Sequence, residues 1–216
     1  MEIVWHGHSC FTLSEHNLAT VVTDPYDPNK TGYPSLKLEA NIVTISHDSY
    51  YHNHHAAVEG GAHIIQGPGE YEIGKVFLTG INTNKQSGEH SNRQNTFYLF
   101  TYQDLNVAHL GNIDRVPSQA EVEDLGPVHI ALVPVGGSPS LTASKASDVI
   151  SLFEPNIVIP MHYAIPGIDS KLDPINMFLK EMGLTEIETM PSYKITSSKN
   201  LPNETQVVVL DYQRSE

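Results

Sequence analysis

The stretch Ser46-His47-Asp48-Ser49-Tyr50-Tyr51-His52-Asn53-His54-His55 concentrates imidazole side chains as no other part of the chain does. Four histidines this close together suit a divalent transition metal better than any packing role, because neutral imidazole is a strong ligand near pH 7. The preceding run, Ile42-Val43-Thr44-Ile45, is short, apolar and β-branched, which predicts a buried strand with His47 just past its end. Strand ends are where side chains from several strands can converge. The stretch lacks the second close-spaced histidine and the ligand carboxylate of a full metal-binding loop; Asp48 is its one acid.

The elements around it fall into two patterns. Short β-type runs at Glu2 to His6, Cys10 to Ser14 and Ala19 to Thr23, separated by turn-formers, predict a meander, and Asp24-Pro25-Tyr26-Asp27-Pro28-Asn29 predicts loop. Further strands are expected at Ile64-Ile65, Tyr71 to Ile73, Lys75 to Asn82, Thr96 to Tyr102 and Leu105 to Leu110, with a short helical piece at Ala56 to Glu59 and a long polar loop from Thr83 to Asn95. After Leu110 helices and strands alternate. Ser118 with Glu121 forms a capping box for a helix to Leu125, and Thr142 caps a second whose Ala143, Ala146, Val149, Ile150 and Phe153 share one face. Strands at His129 to Val133 and Ile157 to Ile159, a helix near Pro174 to Met182 and a closing strand at Gln206 to Leu210 complete the plan.

Composition bounds the function. At 216 residues and 39% hydrophobic content, one domain spanning residues 1–216 is expected. Twelve basic against 25 acidic residues give a net charge of −13, which repels phosphate backbones and argues against nucleic-acid partners. No run approaches eighteen apolar residues, and Met1 leads straight into Ile3-Val4-Trp5, so neither membrane spanning nor export is expected. A single cysteine, Cys10, fits a reducing cytoplasm and reads as a small buried side chain.

Several motifs together carry a resemblance: G-H-S-C-F at Gly7 to Phe11, Thr23-Asp24-Pro25, the histidine stretch, and G-P-G-E-Y-E at Gly67 to Glu72. They continue with His109-Leu110-Gly111-Asn112, P-V-G-G at Pro134 to Gly137 and I-P-M-H-Y at Ile159 to Tyr163. In order and spacing the chain resembles the metallo-β-lactamase superfamily, and within it the bacterial metal-dependent hydrolases that include ascorbate-6-phosphate lactonase. The resemblance implies an α+β fold: an αββα sandwich of two mixed sheets face to face, helices on the outer faces and the site at the sheet edges.

It also implies a ligand set, and the chain departs from it. The signature H-x-H-x-D-H falls on His47, Ser49, Tyr51 and His52; the family's bridging aspartate falls on Asn112. A further histidine expected near Thr83 to Lys85 has no counterpart, His90 being slightly late, and the last is His162. His47, His52 and His162 would then hold one zinc ion with an open fourth position. A two-metal mechanism would lack its anionic ligands. On this reading the protein is a lactonase-like hydrolase of a small lactone, ester or phosphoester, with His52 and Asn112 catalytic, Asn112 orienting the water, and His8 and Tyr51 contacting substrate. The alternatives are a metal-free pseudoenzyme in which Tyr51 fills the metal's space, or a structural protein that assembles with itself.

Each neighbouring residue also has a plainer reading. His6 and His8 share a face only if the first strand persists through Gly7, and hydrogen bonding within a loop is their simpler role. His54 and His55 read as solvated residues opening a short helix, Asp48 as pointing away from the site, and Glu70 and Glu72 as strand residues.

Overall fold

The computed structural model describes residues 1–83, 95–168, 170–185 and 187–213. Its strands run, in chain order, β1 (Glu2–Trp5), β2 (Phe11–Ser14), β3 (Val21–Thr23), β4 (Leu38–Glu39), β5 (Ile42–Ile45), β6 (Val58–Glu59), β7 (His63–Gln66), β8 (Gly69–Ile73) and β9 (Val76–Asn82). They continue as β10 (Thr96–Tyr102), β11 (Leu105–His109), β12 (Ile130–Pro134), β13 (Ile157–Met161), β14 (Thr189–Met190), β15 (Tyr193–Lys194), β16 (Gln206–Val207) and β17 (Val209–Leu210). The helices are α1 (Pro28–Thr31), α2 (Gln119–Leu125), α3 (Ala143–Phe153) and α4 (Ile175–Glu181). No helix among the described residues is long and apolar enough to cross a membrane.

Two mixed sheets form the α+β sandwich. The first has the order β15-β1-β2-β3-β5-β7 and the second β16-β13-β12-β11-β10-β9-β8. In the first, β1, β2 and β3 pair antiparallel and β3, β5 and β7 parallel; in the second, β8 to β11 pair antiparallel and β11, β12, β13 and β16 parallel. Consequently β1, β3 and β5 all end at one edge of the first sheet, and β11, β12 and β13 at one edge of the second. Loops leaving the carboxyl ends of such strands are where open α/β sheets bind ligands.

The strand periodicity of two decides which core each residue enters. Val21 and Ile42 point into the central core between the sheets, whereas Val22 and Val43 point into a second cluster with Cys10, Tyr26, Tyr33 and Leu36. That outer cluster is covered largely by the irregular segment between β3 and β4, on an outer face where the resemblance implies helices. The segment does contain one helical turn, α1, where the sequence predicts loop: Asp27 caps it and Pro28 at its first position is pre-set for the helical φ. The expected helix at Ala56 to Glu59 is a 3-10 turn at His55–Ala57 followed by β6. Strands β14 and β15 carry no sequence signal, being two residues each, yet β15 extends the first sheet beside β1.

Two tyrosines lock the layers together. Tyr102 of the second sheet places its hydroxyl 3.1 Å from the Leu13 carbonyl and 3.0 Å from that of Ala19. The Tyr98 hydroxyl lies 3.0 Å from the Ile45 carbonyl and 3.3 Å from that of Ile65, and accepts from the Gly67 N–H at 3.0 Å. Tyr98→Phe leaves these buried backbone groups short of a partner and is expected to cost about 1–3 kcal/mol. Urea denaturation checks this, with a lower midpoint at unchanged m-value the expected result.

Candidate metal centre

Every side chain at the shared sheet edge follows the end of a strand. His8 follows β1, Asp24 follows β3, Ser46 and His47 follow β5, Asn112 follows β11, and His162 follows β13. These loops line a cleft of about 940 Å³ that includes His8, His47, Tyr51, His52, Asn112 and His162.

Three imidazoles meet at its floor. His8, His52 and His162 have ligand atoms that all lie within 4.8 Å of one another, and their side chains are buried. The ring centroids of His8 and His162 are 4.2 Å apart and those of His8 and His52 4.9 Å. His47 stands beside this trio without being part of it: its ring lies 4.3 Å from His52, and it is half-buried on the cleft wall. His47, His52 and His162 therefore share one cleft, and His8, which the sequence suggests as a substrate contact, takes a place among the clustered donors.

The trio is oriented from behind. The His52 Nδ1 sits 2.8 Å from Oδ2 of Asp24, a fully buried carboxylate that also accepts from the Ser46 N–H at 2.7 Å and the Ser46 hydroxyl at 2.6 Å. The geometry is that of an ion pair, but burial and the neighbouring imidazoles hold the His52 pKa well below the ordinary histidine range. The contact is accordingly a hydrogen bond from neutral His52 Nδ1–H to the carboxylate, leaving Nε2 with a free lone pair. Ser140 does the same for His162: its hydroxyl donates to the Gly137 carbonyl at 3.2 Å and accepts from His162 Nδ1 at 3.1 Å. Nδ1 of His8 is buried and has no hydrogen-bond partner among the described residues.

The backbone at three of these positions is left-handed, with φ of 51° at His8, 40° at Asp24 and 56° at His162. Such backbone costs of order 1–3 kcal/mol per residue and persists only where surrounding bonds impose it. Here they do. The His8 carbonyl accepts from the Trp5 indole at 3.1 Å and from the His162 N–H at 3.0 Å. The adjacent Ser9 carbonyl accepts from the Thr23 hydroxyl at 3.0 Å and His109 Nε2 at 2.9 Å, and the Asp24 N–H donates to the Thr44 carbonyl at 2.9 Å. Strand β1 stops at Trp5 because Gly7 takes φ of 98°, so His6 and His8 do not share a face; His6 instead bonds Thr12. Gly136 admits no side chain, since a Cβ there would fall 2.1 Å from the His162 carbonyl oxygen.

Asn112, which lines the cleft, is pinned through its own N–H to Asn95 Oδ1 at 2.8 Å, while its side-chain oxygen is buried with no hydrogen-bond partner among the described residues. Tyr51 is 37% exposed and stacks nearly parallel on the His8 ring at 5.4 Å, so it walls the cleft from outside rather than filling its floor. Asp48 is exposed and accepts from the Asn53 amide. His54 is half-buried and His55 exposed at the 3-10 turn, and neither lines the cleft. His90 lies outside the described residues. The sequence reading missed the orienting roles of Asp24 and Ser140. Thr23-Asp24-Pro25 signals a loop, and nothing in it distinguishes a buried aspartate from a solvated one.

Burial also sets a pH dependence. It pushes His8 and His52 well below the ordinary range and His162 down to about 4. In the unfolded chain these groups titrate near 6.5, so between that value and about 4 the unfolded state binds protons that the native state refuses. Stability is fully present above that window and lost as pH falls through it. Asp24, raised by burial, works in the opposite sense, its contribution being lost as pH rises. For His162 alone, chelator-treated protein is expected to lose roughly 2–3 kcal/mol between pH 7 and pH 4.5. Equal urea midpoints at the two pH values would contradict this.

Comparison with known proteins agrees with this geometry. The family model described as a beta-lactamase superfamily domain matches residues 2–162, which reach from β1 to the last imidazole of the trio. A Thermotoga maritima structure, assigned as a zinc-dependent hydrolase of the metallo-β-lactamase superfamily, is 32% identical with a TM-score of 0.79 over 97% of each chain. A UPF0173 protein of Pyrococcus furiosus is 28% identical over 84% of this chain and 90% of its own length. A UPF0173 metal-dependent hydrolase of Thermoplasma acidophilum is 26% identical over 76% of this chain and 83% of its own. Motifs, sandwich and strand-end site thus coincide with a matched family model over most of the chain, which belongs to the metallo-β-lactamase superfamily.

Proposed function

We propose that the protein is a metal-dependent hydrolase of a small lactone, ester or phosphoester, working with a single zinc ion held by His8, His52 and His162. The observation that carries this reading is the convergence of three buried, neutral imidazoles, two of them tied back through Nδ1 to Asp24 and Ser140. Three imidazoles with an open fourth position are a common zinc donor set, and hydrogen bonds behind the ligands raise their basicity and fix their tautomer. The relatives named above as a zinc-dependent hydrolase and a metal-dependent hydrolase support the same chemistry.

A zinc ion bound there would lower the pKa of a coordinated water to about 7 and polarise the substrate's carbonyl or phosphoryl oxygen. The chain's own groups do the rest. The side-chain oxygen of Asn112 would accept a hydrogen bond from the attacking water and orient it. His47, which lines the cleft with its ring 4.3 Å from that of His52, would take up the water's proton and pass it to solvent or to the leaving group. Tyr51, stacked over the His8 ring, would form an aromatic wall against which the substrate body packs. Because Ser49, Tyr51 and Asn112 stand where the family places further ligands, a second ion has no anionic ligand set.

The test is a zinc titration of chelator-treated protein combined with elemental analysis, followed by a panel of chromogenic lactones, esters and phosphoesters. One zinc per chain and zinc-dependent turnover are expected. No zinc uptake would leave a metal-free binding protein on the same fold.

A further inference from the structure

From the charge distribution around the cleft we infer that it recognises its substrate through an anionic group, a phosphate or carboxylate gripped by Lys30 and Lys171. This rests on the proposed reading of the cleft as a substrate site but not on the metal. The chain carries a net charge of −13, so its overall field opposes the approach of any anion. Among the described residues the cleft lining departs from that balance: it contains Lys30 and Lys171 against one carboxylate, Asp48.

The two lysines come from different layers of the sandwich and line the same cleft. Lys30 lies in the last turn of α1, which the first sheet supplies after β3; Lys171 lies in the loop that the second sheet supplies after β13. The two segments approach each other, since a Cβ placed on Gly32 would lie 3.9 Å from Ile168. Both are anchored. The Asp27 N–H at the start of α1 donates to the Tyr50 carbonyl at 2.8 Å, and the Asp173 N–H, two residues past Lys171, donates to the Gly136 carbonyl at 2.8 Å. Beside Lys171, the Ser170 hydroxyl lines the cleft and is buried with no hydrogen-bond partner among the described residues. Two exposed ammonium groups and one unspent O–H donor suit an oxyanion's several acceptor oxygens. A neutral substrate would leave this rim unused.

The test measures binding of inorganic phosphate and of acetate to the full chain, by thermal shift and calorimetry at low ionic strength, with and without zinc. Saturable binding of either anion is expected, and the preferred one identifies the group. The double variant Lys30→Gln/Lys171→Gln should bind it on the order of tenfold more weakly, as two exposed charge contacts allow, with zinc affinity unchanged. Lys199→Gln, which does not line the cleft, should match the parent. Binding of neither anion, or equal binding by the double variant, overturns the proposal. Anion binding that requires zinc and ignores the lysines also overturns it while leaving the metal reading intact. Lysine-dependent binding by a protein that takes up no zinc upholds it and sinks the metal reading instead.

Discussion

Replacing His8 with alanine is expected to weaken zinc binding by more than about 100-fold, more than the 10–100-fold typical of losing a group behind a ligand. His8 sits in the trio whose donor atoms cluster, and its loop is held by the Trp5, Thr23 and His109 bonds whatever the side chain. At zinc 100-fold above its dissociation constant the parent should gain about 2.7 kcal/mol of stability, and the variant, at a 100-fold weaker constant, only about 0.4 kcal/mol. Because φ at position 8 is left-handed, His8→Asn, which tolerates that backbone, separates ligand loss from loop strain. His47→Ala should retain most of the zinc-dependent gain. If instead His47→Ala abolishes it and His8→Ala does not, the metal sits with His47, His52 and His162, as the family's signature loop implies.

Asp24→Ala should be the most destabilising single change in the cleft. It strips partners from the Ser46 N–H, the Ser46 hydroxyl and His52 Nδ1 at a fully buried position. Leaving such groups unpaired typically costs about 3–5 kcal/mol when a buried charged partner is lost. Asp24→Asn is the more informative variant, because it keeps the volume and offers one acceptor. It should fold, yet bind zinc roughly 10–100-fold more weakly, since a neutral amide no longer enforces the Nδ1–H tautomer of His52 or raises its basicity. Zinc titration of folded Asp24→Asn decides the point; an affinity equal to the parent's would reduce Asp24 to a structural role.

Much of the frame was legible from local pattern. The Ser118–Glu121 capping box starts α2, Thr142 caps α3, and Ala146, Val149, Ile150 and Phe153 form its buried face, as their spacing predicts. Capping and helical periodicity act over a few residues, so the chain states them directly. Strands β3, β5, β12 and β13 were likewise visible as β-branched apolar runs, and the motifs at their ends carried the family resemblance.

What the sequence by itself determined was therefore the longer strands of the two sheets, the helices α2, α3 and α4 and the presence of histidines at strand ends. Which imidazoles meet was decided only by the tertiary structure. His8, His52 and His162 are up to 154 positions apart in the chain (162 − 8), and their meeting depends on two sheets stacking so that β1, β5 and β13 end at one edge. The roles of Asp24 and Ser140 depend on burial, which is a property of the packed layers, and a loop dipeptide such as Asp24-Pro25 looks the same whether water or His52 faces it. Even the place of His8 in the imidazole cluster rests on a left-handed backbone at position 8. That conformation is unfavourable locally and persists because bonds from Trp5 and His162 outweigh the preference of the residue itself.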